Sequence, residues 1–184
     1  MEMEIEQRTW AIGAKFDITT PTTHYTASRG LFTLLAGFQL VDRQGQVAAQ
    51  IGKQFSFLKP QYTISLADGT VYSLAKQSIV TGTYICEGNG ERYAVYAHRG
   101  RSFSIFRNEQ QVASFAHQAV TVMGGNVINI RADDNCNVEL TISIVLCIEA
   151  PQDQGNRQAV SFDFGKIGPE ERPIDPNWEP RQSR

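Results

Sequence analysis

The 184-residue sequence predicts a mainly antiparallel β protein of about a dozen strands with at most one helix. A hairpin signature occurs three times: an aromatic residue is followed two positions later by an aliphatic residue and nine positions later by a valine. Further alternating segments lie between these copies, separated by glycine, proline and acidic turn residues. Before Asp134 no segment keeps the 3.6-residue period of an amphipathic helix.

Each copy of the signature predicts a β-hairpin. The copies are Phe38, Leu40 and Val47; Tyr62, Ile64 and Val71; and Phe103, Ile105 and Val112. A period of two places the aromatic and the aliphatic side chain on one face of a strand. Gln44-Gly45 and Asp68-Gly69 supply the glycine that a turn with positive φ favours. The third copy has Glu109-Gln110 instead, which leaves its turn type open.

The remaining strand candidates fill the gaps between the hairpins. They are residues 9–14, 16–19, 31–35, 78–86, 93–98 and 127–132. The breakers that separate them include Pro21, Gly82, the EGNGE segment over 87–91 and Gly124-Gly125.

The apolar block CNVELTISIVLCIEA over 136–150 is compatible with either a strand or a helix. Its first half alternates polar and apolar residues and is rich in β-branched side chains, which favours a strand. Its second half, VLCI over 145–148, does not alternate. The DDNCN segment over 133–137 offers N-cap residues and negative charge, and Pro151 would end a helix. The local pattern alone favours the strand.

The composition is that of a soluble globular protein, with 41% hydrophobic and 20% charged residues and a net charge of −2. The small net charge argues against a nucleic-acid partner, and no apolar run reaches the roughly 18 residues of a membrane-spanning helix. The glutamate-rich start MEMEIEQRTW differs from a secretory signal, so we expect a cytoplasmic chain. Cys86, Cys136 and Cys147 are expected to be thiols in or beside the core.

The run over 29–77 resembles the core of the LURP-one-related family, which is related to the phospholipid scramblases and the tubby C-terminal domain. The resemblance is carried by D-x-x-G-x-V over 42–47, IGK over 51–53, F-x-F-L-K-P-x-Y over 55–62, and NIRADDN with LTISIVLCIEA within 129–150. It covers about residues 9–150 and is weaker in the middle. It implies a closed antiparallel barrel of twelve strands in residues 1–150, around one hydrophobic C-terminal helix at about 136–149.

Geometry is compatible with this implied arrangement. An α-helix with its side chains is about 10 to 12 Å across, and an eleven-stranded barrel is wide enough to hold one. A helix inside a barrel is buried all round, so we expect the hydroxyls of Thr141 and Ser143 to bond to carbonyls one turn back. Glu139 and Glu149 should then lie near the two open ends. A lumen filled by a helix leaves little room for a small ligand.

Residues 151–184 form a polar, proline-rich extension. We expect its last part to be extended or disordered unless Trp178 docks on the barrel. The alternating AVSFDF segment over 159–164 predicts one extra strand, which could also bind a partner by strand addition.

No motif indicates a catalytic residue, a metal site or a cofactor. His24, His98 and His117 lie far apart and are not at metal-ligand spacing, and the serines lack a G-x-S-x-G context. The acidic segment 133–137 lacks the glycine and distant glutamate of an EF-hand, so helix capping is the better interpretation. The GNG segment over 88–90 is interpreted as a turn.

One group of basic residues is a candidate contact for anionic phospholipid headgroups, although a solvated hairpin is the simpler interpretation. Its members are Lys53, Lys59, Lys76, His98, Arg99 and Arg101. Arg99 and Arg101 should flank Gly100 in a hairpin turn. No segment matches the headgroup-binding motif of tubby domains, and the cysteine-rich and proline-rich N-terminal region of the scramblases is absent.

The sequence therefore predicts a non-catalytic binding or scaffold module. We expect its outer surface to contact anionic phospholipid at a membrane surface, or a protein, with no nucleic-acid partner and no transmembrane segment. One alternative is an enzyme of unrecognised type with a site at the barrel rim. Another is a structural module that interacts with proteins through its C-terminal tail.

Overall fold

The computed structural model describes residues 1–8, 15–29, 37–54, 61–77, 82–118, 127–149 and 170–182. Within these ranges the chain forms twelve strands and one helix. The elements are β1 (Glu2–Arg8), β2 (Lys15–Thr19), β3 (His24–Arg29), β4 (Phe38–Asp42), β5 (Val47–Gln54), β6 (Gln61–Leu66), β7 (Val71–Lys76), β8 (Tyr84–Gly88), β9 (Glu91–His98), β10 (Ser102–Arg107), β11 (Gln110–Gln118), β12 (Val127–Ala132) and α1 (Val138–Glu149).

The strands form one closed barrel in which each strand pairs antiparallel with its neighbours in sequence. β1 closes the barrel on β12, with Glu2 opposite Arg131 and Ile5 opposite Ile128. Closure leaves no strand edge with unpaired backbone groups. The predicted twelve-stranded barrel is therefore confirmed, and the three hairpins of the repeated signature are β4–β5, β6–β7 and β10–β11.

The two ends of the barrel differ. The end at which α1 begins, here called the entry rim, carries the short connections 20–23, 43–46, 67–70, 89–90 and 108–109. The end at which α1 finishes, here called the exit rim, carries the turn 99–101 and the strand ends at Lys15, Gln54, Lys76, Tyr84 and Gln118.

The two tightest turns of the entry rim show how the chain reverses there. Asn108 and Glu109 have φ values of 47° and 67°, and Asn89 and Gly90 have values of 51° and 73°. Positive φ at both central residues is the geometry of a type I′ turn, whose twist matches that of the flanking strands. The turn of the third hairpin is thus centred on Asn108 and Glu109, one residue earlier than the predicted Glu109-Gln110.

Helix α1 fills the barrel. Residues 140–148 are all buried, so the helix has no solvent-facing side over this range. The Asn137 side chain caps its start, because its Oδ1 accepts the backbone N–H of Leu140 at 2.9 Å. Glu139 and Glu149 lie at the two ends of the helix, as predicted. The helix begins at Val138, two residues later than the predicted start.

One prediction about the helix hydroxyls is confirmed and the other is wrong. Thr141 Oγ1 donates to the Asn137 carbonyl at 2.8 Å. Ser143 Oγ is buried and has no hydrogen-bond partner. A serine in a helix can point its hydroxyl away from the carbonyl one turn back, and the surrounding side chains here are apolar.

Two strands were not predicted. β1 has only Met3 and Ile5 on its buried face, and β3 has only Tyr25 and Ala27, so neither carries a strong apolar signal. The candidates at 9–14 and 31–35 lie outside the described residues, as do residues 78–81 of the candidate at 78–86. The predicted extra strand at 159–164 also lies outside them.

Candidate functional site

The exit rim gathers basic residues that are far apart in sequence. We call Lys15, Lys53, Lys76, Arg99 and Arg101 the exit-rim cations. β5 and β7 both run toward this rim, so the lysines near their ends lie at the same end of the barrel as the arginines of the β9–β10 turn. Lys15 begins β2 at the same rim. Nothing in its local sequence indicated this, because its position follows from the antiparallel order of the strands.

Arg101 takes part in a chain of side chains beside the end of α1. Its Nη2 lies 3.3 Å from His117 Nδ1, and His117 Nε2 lies 2.7 Å from a carboxylate oxygen of Glu149. An arginine can only donate, so in this geometry His117 Nδ1 is the acceptor and Nε2 faces Glu149. Both His117 and Glu149 are almost fully covered, with side chains 9% and 7% exposed. Sequence reasoning treated His117 as an ordinary histidine and missed this arrangement.

Aromatic residues line the same mouth of the barrel. Lys76 Nζ lies 5.6 Å from the centroid of the Tyr84 ring, and burial lowers the pKa of this lysine. Burial, followed by the charge of Glu149, raises the pKa of Tyr84 to about 12. Burial also raises the pKa of Tyr62, whose hydroxyl has no hydrogen-bond partner. Both phenols are therefore neutral at physiological pH.

The structure brings most of the predicted lipid-contacting residues together, but not all. Arg99 and Arg101 are exposed in the predicted turn, and Lys53 and Lys76 are half-buried at the rim. Lys59 lies outside the described residues. His98 is wrongly included: it is only 2% exposed, and its Nε2 lies 2.8 Å from Ser104 Oγ. Its neighbour Ala97 faces the core, so His98 faces the outer wall, where burial lowers its pKa.

The described residues hold no metal-ligand cluster, and their two fully buried thiols are unreactive. Among the residues described, no three His, Cys, Asp or Glu side chains are arranged to hold a metal ion. Burial raises the pKa of Cys86 and Cys147, which keeps both thiols protonated and unreactive.

A groove of about 430 Å³ outside β1–β4 contains His24, whose Nδ1 is 2.9 Å from the Ile18 carbonyl.

Comparisons with known proteins leave the family of this chain open. No family model matches it, and no curated protein and no solved structure matches it either. The resemblance to the LURP-one-related family thus remains a prediction. Over the ranges that the structure describes, no helix has the length and apolar character needed to cross a bilayer.

Proposed function

We propose that this chain is a non-catalytic, tubby-like binding module of the LURP-one-related kind, which contacts anionic phospholipid through its exit rim. The observation that carries the proposal is the convergence of the exit-rim cations at one end of the barrel. The lumen is filled by α1, so a ligand would be met at a rim or on the outer wall rather than inside.

The charge of the rim is large enough to matter. A lysine or arginine near an anionic membrane surface contributes about 1 kcal/mol. Lys15, Lys53, Arg99 and Arg101 together would therefore contribute at most about 4 kcal/mol, or about a thousandfold in affinity, and the carboxylates of Glu170 and Glu171 at the same rim reduce this sum. Lys76 is left out of this sum because it is partly desolvated over Tyr84.

The sequence between the strands supports a lipid surface rather than a soluble anion. Between strands that meet at the exit rim it reads TWAIGA over 9–14, GLFTLLA over 30–36 and AVTVM over 119–123. Between strands that meet at the entry rim it reads RQGQ over 43–46 and ADGT over 67–70. Segments rich in apolar and aromatic residues are typical of proteins that bind at membrane surfaces. The three apolar segments lie outside the described residues, so only their composition supports the proposal.

Binding to vesicles tests the proposal. The unaltered chain should sediment with vesicles of phosphatidylcholine and phosphatidylserine, more weakly as salt increases, and should ignore pure phosphatidylcholine. The double variant Arg99→Glu/Arg101→Glu should lose at least tenfold in affinity. Because Arg101 contacts His117, the variant Lys15→Glu/Arg99→Glu serves as a second test that leaves this contact in place.

The control makes the same change of charge at the other rim. Arg43 and Arg92 lie at the entry rim, so Arg43→Glu/Arg92→Glu has the same net charge as the test variants. Equal losses in the control and test variants would contradict an exit-rim site. Absence of binding to anionic vesicles at low salt would overturn the proposed function itself.

A further inference from the structure

The C-terminal segment, residues 170–182, crosses the outside of the barrel from one rim to the other. At the exit rim, Glu170 Oε1 accepts the backbone N–H of Arg99 at 3.2 Å, and Glu171 accepts the hydroxyl of Thr83. At the entry rim, the carbonyl of Arg181 accepts the backbone N–H of Asp134 at 3.1 Å. The segment therefore lies along the outer wall formed by β9, β10 and β11.

The first anchor of the segment is Arg172. Its guanidinium lies 3.9 Å from the centroid of the Phe106 ring and 5.7 Å from that of Tyr96. Its Nη1 donates to Glu109 Oε2 at 3.0 Å. Phe106 and Tyr96 are 5.5 Å apart with an edge-to-face geometry, so they form a ready aromatic surface for a cation.

The second anchor is Arg181, at the entry rim. Its guanidinium donates through Nε and Nη2 to Asp133 Oδ2, and Nη2 also reaches the Gln111 carbonyl at 2.8 Å. Its backbone N–H donates to Asp133 Oδ1 at 2.7 Å. The Asp133 residue is 0% exposed, so both its oxygens are satisfied away from solvent. Charge-assisted bonds of this kind are about twice as strong as neutral ones.

The outer wall of β9–β11 has a polar atom and a groove that the C-terminal segment does not fill. His98, beside Glu170 on the outward face of β9, is 2% exposed, and its Nδ1 has no partner. A groove of about 420 Å³ remains between the segment and the β10–β11 hairpin, bordered by Phe106, Gln110 and Trp178. A ligand with an additional polar group near His98 Nδ1, or with larger side chains along this groove, would make contacts that the segment does not.

We propose that the outer wall of β9–β11 is a binding surface for an extended, arginine-bearing peptide of a partner protein, and that the C-terminal segment occupies it in the isolated chain. The partner peptide should carry one arginine for the Phe106–Tyr96 surface and another for Asp133. This surface is separate from the exit-rim cations, and the proposal does not rest on lipid binding.

The covalent connection sets how strongly the segment competes. Residues 150–169 connect it covalently to α1, and a connection of about twenty residues gives an effective concentration in the millimolar range. A free peptide with the same contacts must overcome that concentration, so the unaltered chain should bind it with an apparent Kd of about 1 mM. Weakening the tethered segment should reveal the intrinsic affinity.

The test uses the full chain and a fluorescent synthetic peptide of residues 170–182. The variant Arg172→Ala/Arg181→Ala should bind the peptide at least tenfold more tightly than the unaltered chain, measured by anisotropy. A peptide with the same two substitutions should not bind. The variant Lys15→Ala/Arg43→Ala loses as many positive charges on β2 and the β4–β5 turn, away from this wall, and should behave like the unaltered chain.

A folded double variant, with cooperative urea unfolding, that fails to bind the peptide would overturn the proposal. If the double variant does not fold, a protease site is introduced within 150–169 of the otherwise unaltered chain. After cleavage the labelled peptide should replace the cut segment, and failure to exchange would likewise overturn the proposal. Dimers that form with increasing concentration and require Arg172 and Arg181 would assign the surface to a second copy and refute a separate partner.

Discussion

The hydroxyl of Ser143 should destabilise the barrel, so its removal should make the protein more stable. Ser143 lies in the middle of α1, is 0% exposed, and its Oγ has no hydrogen-bond partner. An unsatisfied buried hydroxyl costs about 1 to 3 kcal/mol of desolvation. Most substitutions in a core destabilise, so a stabilising substitution at this position is a discriminating expectation.

The size of the effect follows from three contributions. Ser143→Ala removes the unsatisfied hydroxyl, and alanine gains about 0.5 kcal/mol in helix propensity over serine. The small volume that is lost costs less than about 1 kcal/mol of packing. The free energy of unfolding should therefore rise by about 1 kcal/mol, which corresponds to about 2 to 4 °C in Tm for a domain of this size.

Urea unfolding at equilibrium, followed by circular dichroism, measures this difference, with Thr141→Val as the matched control. Thr141 lies on the same buried helix, but its hydroxyl donates to the Asn137 carbonyl at 2.8 Å. Valine has the same shape, so this variant should lose about 1 kcal/mol from the missing hydrogen bond. If Ser143→Ala unfolds at a lower urea concentration than the unaltered chain, the reasoning about the unsatisfied hydroxyl is refuted.

Two further predictions concern buried titratable groups. Burial raises the pKa of Cys86 to about 12, and it raises the pKa of Cys136 and of Cys147 above the ordinary value. Ellman's reagent at about pH 8 should therefore label no thiol until denaturant is added. Rapid labelling of the native chain would contradict this prediction. Burial lowers the pKa of His98 below its ordinary 6.5, so the unfolded chain binds this proton more tightly than the folded one. The contribution of His98 to stability is therefore complete above about pH 6.5 and is lost as the pH falls below it. His98→Gln should flatten the fall in unfolding free energy from about pH 7 to about pH 5, and equal slopes for both proteins would show that the pKa of His98 is the same in the folded and unfolded states.

Local sequence predicted the elements whose signals are local. The three hairpins were found because strand alternation and turn residues act within a few positions of each other. The Asn137 cap was also among the predicted capping residues. β1 and β3 were missed because their sequences, EMEIEQR and HYTASR, are mostly polar and charged, and their pairing depends on strands elsewhere in the chain.

The identity of α1 shows where local pattern and tertiary context disagree. Residues 138–144 alternate like a strand, but the closed barrel offers no edge on which another strand could pair. A helix satisfies its backbone hydrogen bonds internally and buries side chains on every face. The helix was therefore expected from the family resemblance, while propensity alone favoured the strand.

The candidate sites depend even more on tertiary structure. The sequence by itself determined that Arg99 and Arg101 share a turn, because two residues around a glycine need no long-range information. The antiparallel pairing of β2 through β7 placed Lys15, Lys53 and Lys76 at the same rim, and the pairing of β9 turned His98 toward the outer wall. The docking of residues 170–182 also depends on tertiary structure, because Arg172 and Arg181 form ion pairs with Glu109 and Asp133, which are distant in the sequence. Turns follow from the conformations of neighbouring residues, whereas rims, walls and their charges arise from contacts between distant parts of the sequence.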